Sequence, residues 1–422
     1  YSYEYDENDD LKVLIKPDDS RAVINYRKVN KDNGLKKVVS AHIDEEGNAE
    51  TYDYDDSGNI VTYTDADGMK TVYELEGSCI IKQTVDGNPS VSWQYNQIGL
   101  VKEKTDYFGT TEYEYNDKGL KSKEKKEDKT KLWSYSKDYG LITGYIDEEN
   151  NESYWSYDKK GNCTIKRISG NSKLMYEYES WGGVKRAFSG SENNKFEYNA
   201  DYNIISDNDY TYEYDSNGKL VSKVDAMNNR FTYTYECDGK KLTVVNPFGT
   251  EISYVQNNRK DIQEIISHDP VNNWFEITKF VYDKRHLVKE IFMGSGTSVE
   301  AAEKSFILKK SCEYTKAGRI SKIILWNYGK ARINDAPGIC TEFIYDFENS
   351  SVQENKYFVD ENGIRISEIL SKTTVCSYAD DLKKVNIITP ESSILYEYGQ
   401  NNKLHYLKHP DGRTEEYLYD KA

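Results

Sequence analysis

Residues 52–75, YDYDDSGNIVTYTDADGMKTVYEL, contain one whole structural unit that the rest of the chain repeats, and no other feature restricts the fold as strongly. Tyr52 and Tyr54 alternate with Asp53, the period of two that puts both rings on one face of a strand and the carboxylate on the other. Asp55, Ser57, Gly58 and Asn59 then supply a turn: Asp and Ser bond their own backbone, and Gly or Asn accepts a left-handed conformation at little steric cost. Ile60 to Tyr63 reads as the returning strand, Asp65 to Gly68 as a second turn, and Lys70 to Leu75 as the next strand. One unit is one hairpin.

The second tyrosine of each Tyr-x-Tyr pair serves as a marker. It falls at Tyr54, Tyr95, Tyr115, Tyr135, Tyr157, Tyr178, Tyr198, Tyr214 and Tyr235, with Leu75 in the slot between the first two. A spacing of about 20 to 22 residues is that of a repeat architecture. Four residues after the marker stands Gly58, Gly99, Gly119, Gly161, Gly182, Gly218 or Gly239; Gly140 is one residue late, and Tyr202 occupies the slot where glycine is expected. Second turns follow half a period later, at Asp106 to Gly109, Asp147 to Asn150, Asp225 to Asn228, Asn246 to Gly249 and Asp411 to Gly412. Two turns per period predict two strands per repeat.

The pattern Tyr-x-Tyr-Asp-x-x-Gly-x-hydrophobic, followed by Thr-Asp-x-x-Gly and another Tyr-x-Tyr, resembles the YD repeat of Rhs proteins, bacterial wall-associated toxins, Tc-toxin cocoons and teneurins. The resemblance covers most of residues 50–255 and returns at 396–420. It implies a β-sheet shell or spiral whose activity resides elsewhere, usually in a C-terminal cargo. The terminal Asp-Pro-x-Gly motif of the Rhs and toxin relatives is missing, since Asp269-Pro270 is followed by Val271 and Asn272. Self-cleavage is therefore not implied for this chain.

Low aliphatic content alone would suggest disorder, but 38 Tyr, 12 Phe and 6 Trp supply ring surface that can be buried across neighbouring strands. The formal net charge of −16 argues against nucleic-acid or anionic-membrane binding. No stretch is apolar enough for a membrane helix, so membrane insertion is not expected. The basic run at 121–131 reads as a solvated hairpin. The six cysteines are scattered, without Cys-x-x-Cys; Cys163 and Cys237 read as small buried residues, with bridging left open. A chain opening on Tyr1 reads as a mature or trimmed product, in keeping with a secreted or cell-surface, bacterial-type location.

Residues 1–255 are expected to form the regular array, 256–395 degenerate repeats with insertions, and 396–422 a final repeat, all in one continuous body. Within the middle region HDPVNNWFEITKFVYDKRHLVKEIF offers longer strands, and 293–305 a loop with a helical turn.

Candidate chemistry is sparse. The five histidines show no metal or catalytic spacing; His405 and His409 lie on a strand running into a turn. Clusters such as 55–59 and 65–68 lack the full calcium-loop spacing and read as turns. No catalytic residue, metal site or cofactor is expected. Trp93, Trp133 and Trp155 replace a structural tyrosine, whereas Trp181, Trp274 and Trp326 lie off that position and are the candidate sugar-stacking platforms. The expected fold is all-β: antiparallel YD hairpins in a long twisted sheet curved into an open spiral or partial shell. The expected function is a non-enzymatic extracellular scaffold segment of a larger Rhs-like protein, for encapsulating cargo or adhering to a glycan or protein on a cell surface. The alternatives are a carbohydrate-binding module and, behind it, a glycan-active enzyme.

Overall fold

A computed structural model describes residues 1–31, 34–86, 88, 90–106, 109–326, 336–378, 382–389, 392–398 and 404–418. They form two 19-stranded sheets, residues 2–195 and 197–416, in which consecutive strands pair antiparallel. The all-β hairpin array read from the sequence is the fold. The chain divides into two compact units, one built chiefly from residues 1–92 and 254–422, the other from 109–253 with 93–105.

One hairpin of the second unit shows the local logic. Strand Glu152–Tyr157 pairs with Cys163–Arg167 through the turn at 158–162. The Asp158 carboxylate accepts the backbone N–H groups of Lys160 at 2.8 Å and Asn162 at 2.9 Å, and the Asn162 amide at 2.9 Å. These bonds, the Asn162 amide foremost, hold its pKa below the ordinary carboxylate value. Asp55, Asp147 and Asp225 do the same in their turns. The acidic clusters are therefore turn hardware, as their spacing suggested.

A β-bulge immediately precedes the marker tyrosine in repeat after repeat, at Asp53/Tyr54, Glu114/Tyr115, Ser156/Tyr157 and Glu213/Tyr214. Beyond the bulge the phenol reaches the previous repeat. Tyr115, Tyr135, Tyr157, Tyr178 and Tyr198 donate to the carbonyls of Val101, Lys121, Ile142, Cys163 and Val184, all at 2.6–2.7 Å. Each acceptor lies two residues past the left-handed turn residue, Gly99, Gly119, Gly140, Gly161 and Gly182 in turn.

The same bond persists where the sequence departs from its period. Tyr282 donates to Ile262 and Tyr314 to Val288, with Lys260 (φ 70°) and His286 (φ 71°) in the glycine slot. Residues 262–314 thus keep the inter-repeat bond while carrying longer strands and non-glycine turns. Their insertion is a six-residue helix, Val299–Lys304, capped by Ser298 and seated against Gly294, where a Cβ would come within 2.2 Å of the Ala302 carbonyl. The stretch WNYGKARINDAPGIC at 326–340, where the sequence leaves its period again, falls mainly on residues outside those described.

Few side chains are fully buried. The one buried cluster of apolar residues recorded among the described residues comprises Ile324, Trp326, Cys340, Tyr357 and Val359. Cys163 is half-buried as expected, but Cys237 is exposed because it sits in a 3₁₀ turn at φ 53°. Cys79, Cys163, Cys237, Cys312 and Cys340 are free thiols.

In the first unit, three early turns meet three late ones. Arg259 lies 3.3 Å from Asp18, and the Lys284 N–H donates to Glu46 at 3.1 Å beside Arg285 and Asp44. Arg319 bonds Asp65 at 2.6 Å and Asp67 at 2.5 Å, while Asp67 also accepts the Thr315 hydroxyl and the Ala317 N–H. Both carboxylates are buried. Burial raises the Asp67 pKa, but the bonds from Thr315, Ala317 and Arg319 outweigh it, so the group titrates below the ordinary value.

Three outcomes are expected. Gly218 sits at φ 76°, so Gly218→Val forces a branched side chain into the left-handed region and should cost about 1–3 kcal/mol by urea denaturation; a change near zero would count against the turn. Arg319→Ala leaves two buried carboxylates without their cation and should cost about 3 kcal/mol. Because the folded pKa of Asp67 is depressed, its stabilisation is complete above about pH 3.9, the unfolded value, and is lost as pH falls through the lower folded value. Urea midpoints of Asp67→Asn should therefore fall less steeply with acid than those of the parent.

Candidate aromatic binding site

The second unit carries a cavity at the break between the two sheets. Strand Glu192–Lys195 ends the first sheet and Glu197–Tyr198 begins the second, leaving Phe196 between them. The Phe196 N–H still donates to Lys185, at 3.0 Å. Asn208 bridges the interruption: its carbonyl accepts the Lys195 N–H at 3.0 Å and its amide donates to the Asn193 carbonyl at 2.5 Å. Beside this break lies a cavity of about 740 Å³ lined by Trp181, Tyr198 and Tyr202, with Lys185, Arg186 and Lys195 among its polar groups.

Local sequence positions the rings. In turns of this unit the residue before the left-handed glycine reaches to the next turn. Lys118 donates to the Lys137 carbonyl, Tyr139 to Lys159 at 2.6 Å, and Lys160 to Ser180 at 2.5 Å. Trp181 is the next member of the series, and it meets a ring instead of a carbonyl. Its centroid lies 4.6 Å from that of Tyr202, the residue that replaces glycine at φ 64°. Tyr198 approaches edge-on at 5.0 Å and 89°. Gly183 makes room beneath the indole, since a Cβ there would fall 2.0 Å from it. Burial first, and the charge of Glu179 second, raise the pKa of the Tyr198 phenol. Trp181 remains 45% exposed and Tyr202 61% exposed, so the pair offers ring area to solvent.

The three candidate tryptophans part company. Trp181 lies in the cavity just described. Trp274 is 41% exposed at the start of strand Trp274–Tyr282, opposite Asp269 in the ladder. Trp326 is 8% exposed within the buried cluster, and its indole N–H donates to the Ser311 hydroxyl at 3.1 Å. It is a core residue and not a surface platform: being off the Tyr-x-Tyr position did not expose it, because its neighbours Ile324, Tyr357 and Val359 are themselves buried. Of the tryptophans expected to pack, Trp133 lies 5.3 Å from Tyr145 with the Lys121 ammonium over its ring. Tyr198 and Tyr202 were not singled out for binding by the sequence, although Tyr202 stood out as the missing glycine. No group of three or more His, Cys, Asp or Glu able to hold a metal ion occurs among the described residues. His409 pairs with Glu415 at 2.7 Å, across its own turn.

Comparison with known proteins follows the architecture. Residues 121–296 match the teneurin YD-shell family model. None of the curated proteins matches the chain by sequence. Among solved structures, a Photorhabdus luminescens Tc holotoxin pore carrying a TccC3 mutation superposes with a TM-score of 0.53 at 10% identity over 99% of this chain. A TcdB2-TccC3 crystal structure gives 0.49 at 8% identity, again over 99% of this chain. The chain spans 27% and 31% of the lengths of those two chains. The repeat motif, the hairpin geometry and the family match together place this chain among the YD-repeat shell proteins.

Proposed function

We propose that the chain is a non-enzymatic scaffold segment of a larger Rhs-like protein, secreted or displayed at a bacterial-type cell surface, where its repeats enclose a cargo or adhere to a partner. The observation that carries this reading is the internal use of the polar side chains. Turn aspartates bind their own backbone, marker phenols bind the preceding repeat, and arginines and lysines bind the next turn. Such groups hold a wall together and leave few free to act on a substrate. The fold shared with part of a Tc holotoxin pore is in keeping with a segment that serves a larger assembly.

A second reading, glycan binding through exposed aromatics, is favoured by the Trp181–Tyr202 pair and its adjoining cavity. Trp274 is a further exposed ring.

Protease digestion of the parent polypeptide tests the first reading. The expected result is a neighbouring cargo region that survives while the segment is intact and is degraded once Tyr157→Phe and Tyr178→Phe together remove two inter-repeat bonds. Equal degradation with and without the substitutions would overturn encapsulation.

A further inference from the structure

We propose that the Trp181 cavity binds an anionic glycan, with a sugar face on the Trp181–Tyr202 rings and its carboxylate or sulfate beside Lys195; this rests on the glycan reading above. The argument begins in the ladder. Arg186 and Lys195 stand directly opposite each other on strands Val184–Ser189 and Glu192–Lys195, so two cations share one face at the cavity wall. Like charges in that position repel. Arg186 is compensated on its other side by Glu177, at 3.3 Å, and its Nε donates to Asn193 at 3.3 Å. Lys195 has no acidic partner among the described residues, and Lys185 adds a third cation, in a loose pair with Glu179 at 3.6 Å. In a chain of net charge −16 the lining of this cavity thus carries three cations against the two carboxylates of Glu179 and Glu197.

The second requirement of a sugar site is a fixed ring with a free face. Gly183 seats one part of the Trp181 indole, Tyr198 braces its edge, and almost half of the residue stays exposed. The Asn193 and Asn199 side chains in the lining add amide groups suited to hydroxyls. Aromatic face, amides and an uncompensated ammonium within one cavity describe a sugar acid or sulfated sugar better than a neutral glycan, which would leave the Lys195–Arg186 repulsion in place.

The test is a binding screen of the purified chain against matched neutral, carboxylated and sulfated oligosaccharides at low and moderate salt. Acidic glycans should bind at least about tenfold more tightly than neutral ones, the difference shrinking with salt. Lys195→Gln should remove that preference without lowering the melting temperature. Gly183→Ala, which displaces the indole, should weaken both classes; Trp181→Ala should do the same, with melting as the control for folding. Equal affinity for neutral and acidic glycans would overturn this proposal and leave the glycan reading standing. No binding to any glycan would overturn both.

Discussion

The bond from each marker phenol to a carbonyl of the preceding repeat is the constraint on which the rest depends. In most repeats it forms where the strand bulges just before the tyrosine and the previous turn passes through a left-handed residue two positions before the acceptor, although Tyr345 reaches Ile320 from an unbulged strand and Tyr54 reaches Val39 within a strand. The bulge and the turn therefore come as a set, and both recur at Tyr115, Tyr157 and Tyr178. A buried phenol needs a partner, and the strand that follows a tight turn presents the nearest one. The link is short and repeated, so order is passed from one hairpin to the next without a deep core. This explains how a chain with so few fully buried side chains holds its strands in place.

The fold was legible because its periodicity is written in residues with narrow conformational roles. Gly58, Gly119 and Gly161 announce turns, and Tyr-x-Tyr announces a strand with one face turned inward. What was less legible has a common cause. Within the region read as degenerate, 256–395, Lys260 and His286 fill the left-handed slot, and nothing in a lysine or histidine advertises that conformation. The bulges leave no compositional mark at all. Pairings between distant turns, such as Arg319 with Asp65 and Asp67, are non-local and invisible to spacing.

The candidate site shows the same division. Trp181 could be singled out as a tryptophan outside the repeat position, but the same rule also selected Trp326, which the fold buries. Exposure depends on neighbours, and for Trp326 these come from strands brought alongside only by folding. Tyr202 was visible as an anomaly in the glycine series, though its meaning emerges only with Trp181 lying against it. The cations around them belong to strands whose opposition across the ladder depends on register, which a turn of different length would shift.

The inter-turn contacts, from Lys118 through Trp181 and again from Arg259 to Arg319, all lie along hairpin ends where the left-handed residues sit. At the other end of one hairpin the helix Val299–Lys304 has been accommodated between strands that keep their tyrosine bond. The turn-to-turn bonds thus act as a ruler that fixes the pitch from hairpin to hairpin, while a loop such as the one carrying Val299–Lys304 is a free hem. Mutation can lengthen, decorate or trim that hem without changing the step between repeats, so new loops can arise there while the wall keeps its gauge.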